Sequence, residues 1–281
     1  MGLNGISLII ATYNSAEMLR ISLRENLRSG FAAIIIVDGE SKDATQQHVK
    51  DLQAQHPGVI RFYQVPKRGL ANARNFGTLQ VETEILMHAG PDNIIPAETI
   101  KMMVKDLAGY DLVSCQTRRV EGSGYLGQAH NIYKKRYSPG PQRVVGTPYL
   151  GRTVLFREFL FNEKMLNSDD TELCQRLTDA GKTIFRDSVI CQEIGFEGLA
   201  DIIERWTRWG RGDALFYRSQ QARWSLGRKL CSWLHPFKAE VVDCFKVLFV
   251  AEFLYIMPFL LFVLCLRYWG WIRFVIFGGR G

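Results

Sequence analysis

Residues 34–45 read IIIVDGESKDAT: four β-branched residues, an acid, a turn of glycine and polar groups, and then the start of a helix-forming stretch. A short apolar run closed by turn residues fits a strand covered on both faces. The same pattern recurs along the chain. ISLIIA (6–11), VIRFYQV (59–65), EILMH (84–88) and DLVSC (111–115) are further β-rich runs separated by helical stretches. This alternation predicts an α/β domain with a mostly parallel, helix-covered sheet up to about residue 200. Ligands of such sheets bind at the carboxyl ends of the strands. Polar clusters follow four of the runs: Thr12-Tyr13-Asn14, Asp38 to Asp43, Lys67-Arg68-Gly69, and Gly90-Pro91-Asp92-Asn93. They are expected on one rim. From Arg118 to Pro148 the chain is rich in glycine and proline and shows no clear periodicity, which predicts a mobile loop or lid.

The 281 residues are 47% hydrophobic, enough for a sizeable core and too apolar for a disordered chain. Six cysteines, none in a C-x-x-C pair or at zinc spacing with histidine, point to a reducing compartment and away from structural zinc. Thirty-five Lys and Arg against 28 Asp and Glu leave a net charge of +7, which favours an anionic partner without choosing among nucleic acid, phosphorylated substrates and acidic lipid. The N-terminus lacks the basic region of a signal peptide.

The clusters also carry a resemblance. ISLIIATYN, IIIVDGESKDAT, RGLANARNFGT and the acidic turn PDNIIP follow in the order and spacing of family 2 glycosyltransferases, and DDTELCQRLTDAGKTI and RWTRWGRGDA continue it over most of residues 5–215. The resemblance implies the GT-A nucleotide-sugar-binding fold, with a donor-binding half over 1–110 and an acceptor and catalytic half over 111–200. It implies donor contacts from Thr12, Asn14, Asp38, Ser41, Arg68, Arg74 and Asp92. Taken alone, Asp38 could also close an ordinary turn, though its ordered neighbours favour a functional role, and Lys67 is equally a solvated cation. The backbone N–H groups opening the helix at Leu70 would suit a diphosphate between Arg68 and Arg74. Family members usually place D-x-D after the fourth strand to hold a divalent cation, Mg or Mn. Here Gly90 replaces the first acid, leaving Asp92 as the metal ligand and the degree of metal use open. His88 reads as a strand-end histidine. Asp169 with Glu172 makes a D-x-x-E capping box. Asp170 matches the family's catalytic base, an acid at a helix N-terminus that takes the proton of an attacking hydroxyl in an inverting transfer. Arg208 and Trp209 match the Q-x-x-R-W element on the acceptor and diphosphate side, with Arg205 in place of the glutamine.

Residues 201–243 interleave tryptophans with arginines and lysines, as expected of amphipathic interfacial helices on anionic lipid. Such a mixture also suits single-stranded nucleic acid, but the apolar segment that follows favours lipid. Val247 to Leu266 is twenty residues with Glu252 as its only ionisable group, and 244–281 is expected to be a membrane segment and tail. Fourteen Leu, Ile, Val or Phe favour insertion by roughly 4–8 kcal/mol, against about 3 kcal/mol for one central acid. A single crossing is the expectation, with a re-entrant turn at Pro258 as its rival. Together these readings describe an inverting transferase on the cytosolic face of the cytoplasmic membrane. It would use a nucleotide-diphosphate sugar and a lipid-linked or polysaccharide acceptor. A polyprenyl-phosphate glycosyltransferase and, because of Gly90, a non-catalytic nucleotide-sugar-binding membrane protein are the alternatives.

Overall fold

In the computed structural model, which describes residues 5–66, 69–119, 124–165, 168–194 and 198–277, the expected apolar runs form strands. The chain divides into two units, residues 1–120 with 138–195, and residues 121–137 with 196–281.

The first unit opens with β1 (Ile6–Thr12), α1 (Ala16–Arg28), β2 (Ala33–Asp38), α2 (Thr45–Gln55), β3 (Ile60–Gln64), α3 (Leu70–Leu79), β4 (Ile85–Ala89), β5 (Asn93–Ile94), α4 (Ala97–Asp106) and β6 (Leu112–Arg119). The chain leaves it for α5 (Tyr125–Lys134) of the second unit. It then returns as β7 (Gly140–Gln142), β8 (Tyr149–Arg152), α6 (Thr153–Glu158), α7 (Asp169–Asp179) and β9 (Ile184–Glu193). The strands make one sheet in the order β3-β2-β1-β4-β8-β6-β9-β5, with β7 paired to β9. The β3-β2-β1-β4 half is parallel, as the alternating pattern predicts. In the other half β8 runs antiparallel to β4 and β6, and β9 is parallel to β6. Because β6 and β8 share the sheet with β4, the expected halves 1–110 and 111–200 are parts of one layer.

Strand alternation places Leu8, Ile10, Ile34 and Ile36 in the core on one face, and Ile9, Ala11, Ile35 and Val37 in the core on the other. All but Ala11 are fully shielded, and each such Ile, Leu or Val contributes about 1.5–3 kcal/mol. Helix α3 sits unusually close to the sheet because residue 77 is glycine: a Cβ there would lie 2.7 Å from Ile9 Cγ2 and 3.2 Å from Val37 Cγ2. The register pairs Thr12 with Asp38, and Asp38 with Gln64, so the carboxyl ends of β1, β2 and β3 are level.

The second unit is helical: α5, α8 (Leu199–Gln220), α9 (Leu226–Trp233), α10 (His235–Phe237), a π turn (Lys238–Val242), α11 (Asp243–Val247) and α12 (Val250–Phe277). Its core joins Ala129 and Tyr133 of α5, Ile202 and Trp206 of α8, and Ile256, Phe259, Leu260 and Val263 of α12. The expected lid at 118–148 is therefore a correction: it contains α5 and β7. Its glycines and prolines flank a helix, and Leu126, Ala129 and Tyr133 form the apolar stripe that the glycines obscured. Among the described residues, α12 is the one helix long and apolar enough to cross a membrane by length and composition, with a mean hydropathy of 2.0 in its most apolar stretch.

Candidate active site

The loops after β1 and β2 are laced together at the carboxyl end of the sheet. Asn14 N donates to Ser41 Oγ at 2.8 Å, and Lys42 N donates to Asn14 Oδ1 at 2.7 Å. Asp38 accepts from Ser41 N at 3.0 Å on one carboxylate oxygen and from Ser41 Oγ on the other. Asp38 is fully buried, so its carboxylate shapes this loop and the exposed groups beside it are Tyr13, Asn14, Glu40 and Lys42. Thr12 Oγ1 is buried with no hydrogen-bond partner, an orphaned polar atom at the head of β1. Asn14, Glu40 and Ser168 have positive φ angles of 49°, 61° and 61°, and each lies in a loop that bears or borders a residue expected in the site. Non-glycine residues adopt this region at a cost, which makes these three loops pre-shaped rather than slack. Lys67 and Arg68 lie outside the described residues.

At the head of α7, Arg74 from α3 bonds two neighbouring acids. Its Nη1 donates to Asp169 Oδ2 at 2.7 Å and to Asp170 Oδ1 at 2.6 Å. Tyr149 OH from β8 donates to the same Asp170 oxygen at 2.7 Å. Asp170 Oδ2 has no hydrogen-bond partner among the described residues, and this side chain is 24% exposed against 6% for Asp169. Burial works against the Arg74 charge, but the Asp170 and Asp169 carboxylates more than offset it, so the guanidinium stays protonated. Burial, with the Asp170 charge, raises the Tyr149 phenol well above its usual range and keeps it a donor. Asp169 is pushed up to about 6, by burial first, with Arg74 pulling it down and Asp170 pushing it up.

One expectation is corrected here. The D-x-x-E capping box does not form: α7 starts at Asp169 with Ser168 as its cap residue, Arg74 draws the Asp169 carboxylate away, and Glu172 pairs with Arg176 at 3.0 Å. Arg74, expected at the donor diphosphate, is 4% exposed and bonded to Asp169 and Asp170. Its neighbour Asn75 clamps the backbone of Phe161, accepting from Phe161 N at 2.8 Å and donating to Phe161 O at 2.9 Å. Tyr149 and Asn75 were not singled out by the sequence. A lone tyrosine on a short strand and an asparagine inside a helix carry no local signal of this kind.

The expected metal ligand Asp92 follows β4. A Cβ on Gly90 would lie 2.3 Å from Asp92 Oδ1, so the Asp92 carboxylate occupies the space that an acid at position 90 would need. Asn93 Oδ1 accepts from Gly90 N at 2.8 Å, which uses the next oxygen within the turn itself. Among the described residues no cluster of three or more His, Cys, Asp or Glu could hold a metal ion. One carboxylate does not make a protein-built site for a hard dication, which takes six or more oxygens. His88 is buried against Tyr149, Phe156 and Phe161, with Nε2 3.3 Å from Thr78 Oγ1. Burial and the Arg74 charge hold its pKa well below the usual range, so it is a neutral core residue. Arg208 and Trp209 belong to α8 of the second unit, where Arg208 pairs with Glu204 at 3.5 Å and the Trp209 ring lies 5.0 Å from that of Trp206, tilted by 53°.

A half-parallel sheet with polar loops at the carboxyl ends of β1, β2 and β4, and a hydrogen-bonded acid at the head of a following helix, defines a nucleotide-sugar transferase architecture of the GT-A type. The chain belongs to the family described as Glycosyl transferase family 2, whose model matches residues 7–169, and the protein is accordingly a glycosyltransferase. It is 31% identical over 104 residues to poly-beta-1,6-N-acetyl-D-glucosamine synthase of Staphylococcus epidermidis. That stretch is 36% of this chain and 25% of the relative, so the match spans about a quarter of the synthase. Two solved structures share the fold at low identity. The mannosyltransferase PcManGT from Pyrobaculum calidifontis, in complex with GDP-Man and Mn2+, superposes with a TM-score of 0.61 at 17% identity, covering 90% of this chain and 73% of that one. TarS 1–349 of S. aureus, in complex with UDP-GlcNAc, gives 0.55 at 15% identity, covering 96% and 89%.

Proposed function

We propose that the protein transfers a sugar, with inversion, from a nucleotide-diphosphate sugar to a hydroxyl of a lipid-linked or polysaccharide acceptor at the cytosolic face of a membrane. The observation that carries this reading is the asymmetric carboxylate of Asp170. Arg74 and Tyr149 bind Oδ1 and fix the plane of the group, while Oδ2 remains open. Oδ2 takes the proton of the acceptor hydroxyl as its oxygen attacks the anomeric carbon. The bond from that carbon to the diphosphate breaks, and the nucleoside diphosphate leaves with the electron pair. Arg74, protonated throughout, and the Tyr149 phenol keep the base from swinging away from the acceptor.

The donor reading draws on the family, which also supplies the call on Arg68, and on the loops at Thr12, Asn14, Asp38 and Ser41, where Thr12 Oγ1 is buried without a hydrogen-bond partner. Both structural neighbours hold nucleotide sugars, GDP-Man in one and UDP-GlcNAc in the other. Should a divalent cation bind with the donor, Asp92 is the protein carboxylate assigned to hold it, and the ion would stabilise the departing diphosphate. Arg208 and Trp209 are assigned to the acceptor side. The relative from S. epidermidis is a polysaccharide synthase, and α12 supports membrane association. The test is Asp170→Asn: donor binding by calorimetry should be unchanged while transfer falls about 100-fold or more, the scale of general-base catalysis. Unchanged transfer to a hydroxyl acceptor removes Asp170 from the mechanism.

A further inference from the structure

The second unit carries more exposed apolar surface than a soluble helical bundle needs, and its arrangement limits how it can meet a bilayer. The twenty-residue apolar run at 247–266 is not one helix. Leu248 has extended backbone and α12 starts at Val250. Between Glu252 and Arg267 the helix has 14 uncharged residues, about 21 Å of length against a hydrocarbon core of ~30 Å. Arg267 cannot reach out to a headgroup. It is 7% exposed, its Nε and Nη2 donate to the Asp213 carboxylate at 2.6 and 3.0 Å, and its Nη1 donates to Glu240.

The same contacts tie α12 to a charged neighbour. A Cβ on Gly210 would lie 1.8 Å from the Arg267 carbonyl oxygen, and one on Gly270 would lie 2.1 Å from the Thr207 carbonyl oxygen, so the two backbones touch. Ile202 and Trp206 share a core with Ile256, Phe259 and Val263, and further along Tyr217 meets Trp271 at 5.9 Å. The helices therefore run side by side and parallel over most of the apolar stretch. Helix α8 brings Glu204, Arg205, Arg208, Arg211, Asp213 and Arg218 along that length. Any crossing by α12 would carry these charges into hydrocarbon, where each is strongly unfavourable.

The outward faces are nevertheless apolar. On α12 the exposed stripe includes Leu254, Leu261, Cys265, Trp269 and Ile272. Helix α9 buries no residue, and Leu226, Leu230, Trp233 and Leu234 form a stripe directed away from the protein. The two helices meet where Tyr268 OH donates to the Trp233 carbonyl at 3.1 Å. The same stretch carries Arg228, Lys229 and Lys246, besides Lys238, which pairs with Asp243. The acids in this stretch, Glu240 and Asp243, are taken up by Arg267 and Lys238. An apolar face edged by cations fits a leaflet containing anionic lipid.

We propose that α12 and α9 lie along the membrane plane in one leaflet and that the chain does not cross. This rests on the membrane association argued above and revises the single crossing expected from the sequence.

The test uses the full chain with vesicles of equal parts phosphatidylcholine and phosphatidylglycerol. A bimane is placed in turn on Leu254→Cys, on native Cys265 and on Ile272→Cys, with serine at the other exposed cysteines. Flotation first establishes binding, which should weaken at least ~10-fold on phosphatidylcholine alone. Nitroxides at shallow and deep acyl positions then read depth. An in-plane helix gives equal, predominantly shallow quenching at all three sites. Deep quenching at Cys265 with shallow quenching at both ends, which lie roughly 16 and 10 Å away along the axis, means a crossing and overturns the proposal. Failure to float, with dimers in light scattering, assigns the apolar face to a second copy and overturns the membrane association as well. Sugar transfer is not the readout, so an incorrect donor or acceptor leaves the depth profile unaffected.

Discussion

Replacing Arg74 by methionine tests whether one guanidinium holds the site together. The substitution keeps an apolar side chain against Phe161, whose ring centroid lies 5.1 Å from the Arg74 guanidinium carbon, and removes the charge-assisted bonds of 2.7 and 2.6 Å to Asp169 and Asp170. Breaking a buried ion pair by deleting one partner costs about 3–5 kcal/mol. Asp169 is 6% exposed and contributes in full, while Asp170 at 24% is partly solvated, so the lower end, about 3 kcal/mol, applies. A domain with ~5–15 kcal/mol of stability remains folded after that loss. The pH dependence gives a sharper signature. With Arg74 present Asp169 already sits at about 6, above its unfolded value; without Arg74 the influence that lowers it is gone and it rises further. A carboxyl raised in the folded state contributes stability at low pH that is lost as pH rises through the folded value. The deficit of the variant should therefore be largest near pH 8 and shrink towards pH 6 in urea unfolding followed by tryptophan fluorescence. A cost below about 1 kcal/mol at both pH values, or one that grows on acidification, refutes the assignment of Arg74 as the buried counter-ion.

Asp169→Asn retains an acceptor for Arg74 but removes a charge that burial disfavours. Relative to the parent it should gain at least about 1 kcal/mol on going from about pH 5 to pH 7, as the parent's carboxyl ionises through about 6, with unfolding free energies as the measurement. Tyr149→Phe deletes the 2.7 Å bond to Asp170 and keeps the ring. It should cost about 1 kcal/mol of stability and lower kcat roughly 10-fold with the donor KM unchanged, which steady-state kinetics would show. Gly90→Asp places a side chain where the Asp92 carboxylate now lies, 2.3 Å from the new Cβ, and must turn that carboxylate outward. Two acids would then face the donor loop, and Mn2+ titration of activity after chelation should show tighter metal dependence than in the parent. Identical titrations would mean that position 90 does not face the ion.

What the sequence disclosed and what it withheld follow from the range of the interactions involved. The strands β1, β2, β3 and β4 were legible because each carries its own apolar run, and the runs end in residues that can only turn. The strands β5, β7 and β8 have two, three and four residues, and in chains this short no period can be read; their pairing is set by neighbours far along the chain. Asp170 was proposed from its place in a motif. The two groups that bond its Oδ1 come from elsewhere, Arg74 from 96 positions away and Tyr149 from 21. A helix-start pattern made Asp169 look like a cap, because a D-x-x-E string at a helix entry is locally sufficient for one. Arg74 outcompeted the local bond, since a charge-assisted contact in a buried place is stronger than a carboxylate capping solvent-exposed N–H groups. The membrane segment is a different case. Its composition makes α12 long and apolar enough to cross, while the in-plane proposal rests on the break at Leu248, the glycine contact of α12 with α8 and the bonding of Arg267 to Asp213. None of these is visible in a hydropathy window. In each case local chemistry suggests a role and a partner distant in sequence bears on it, so the informative substitutions are those that remove the distant partner and leave the motif intact.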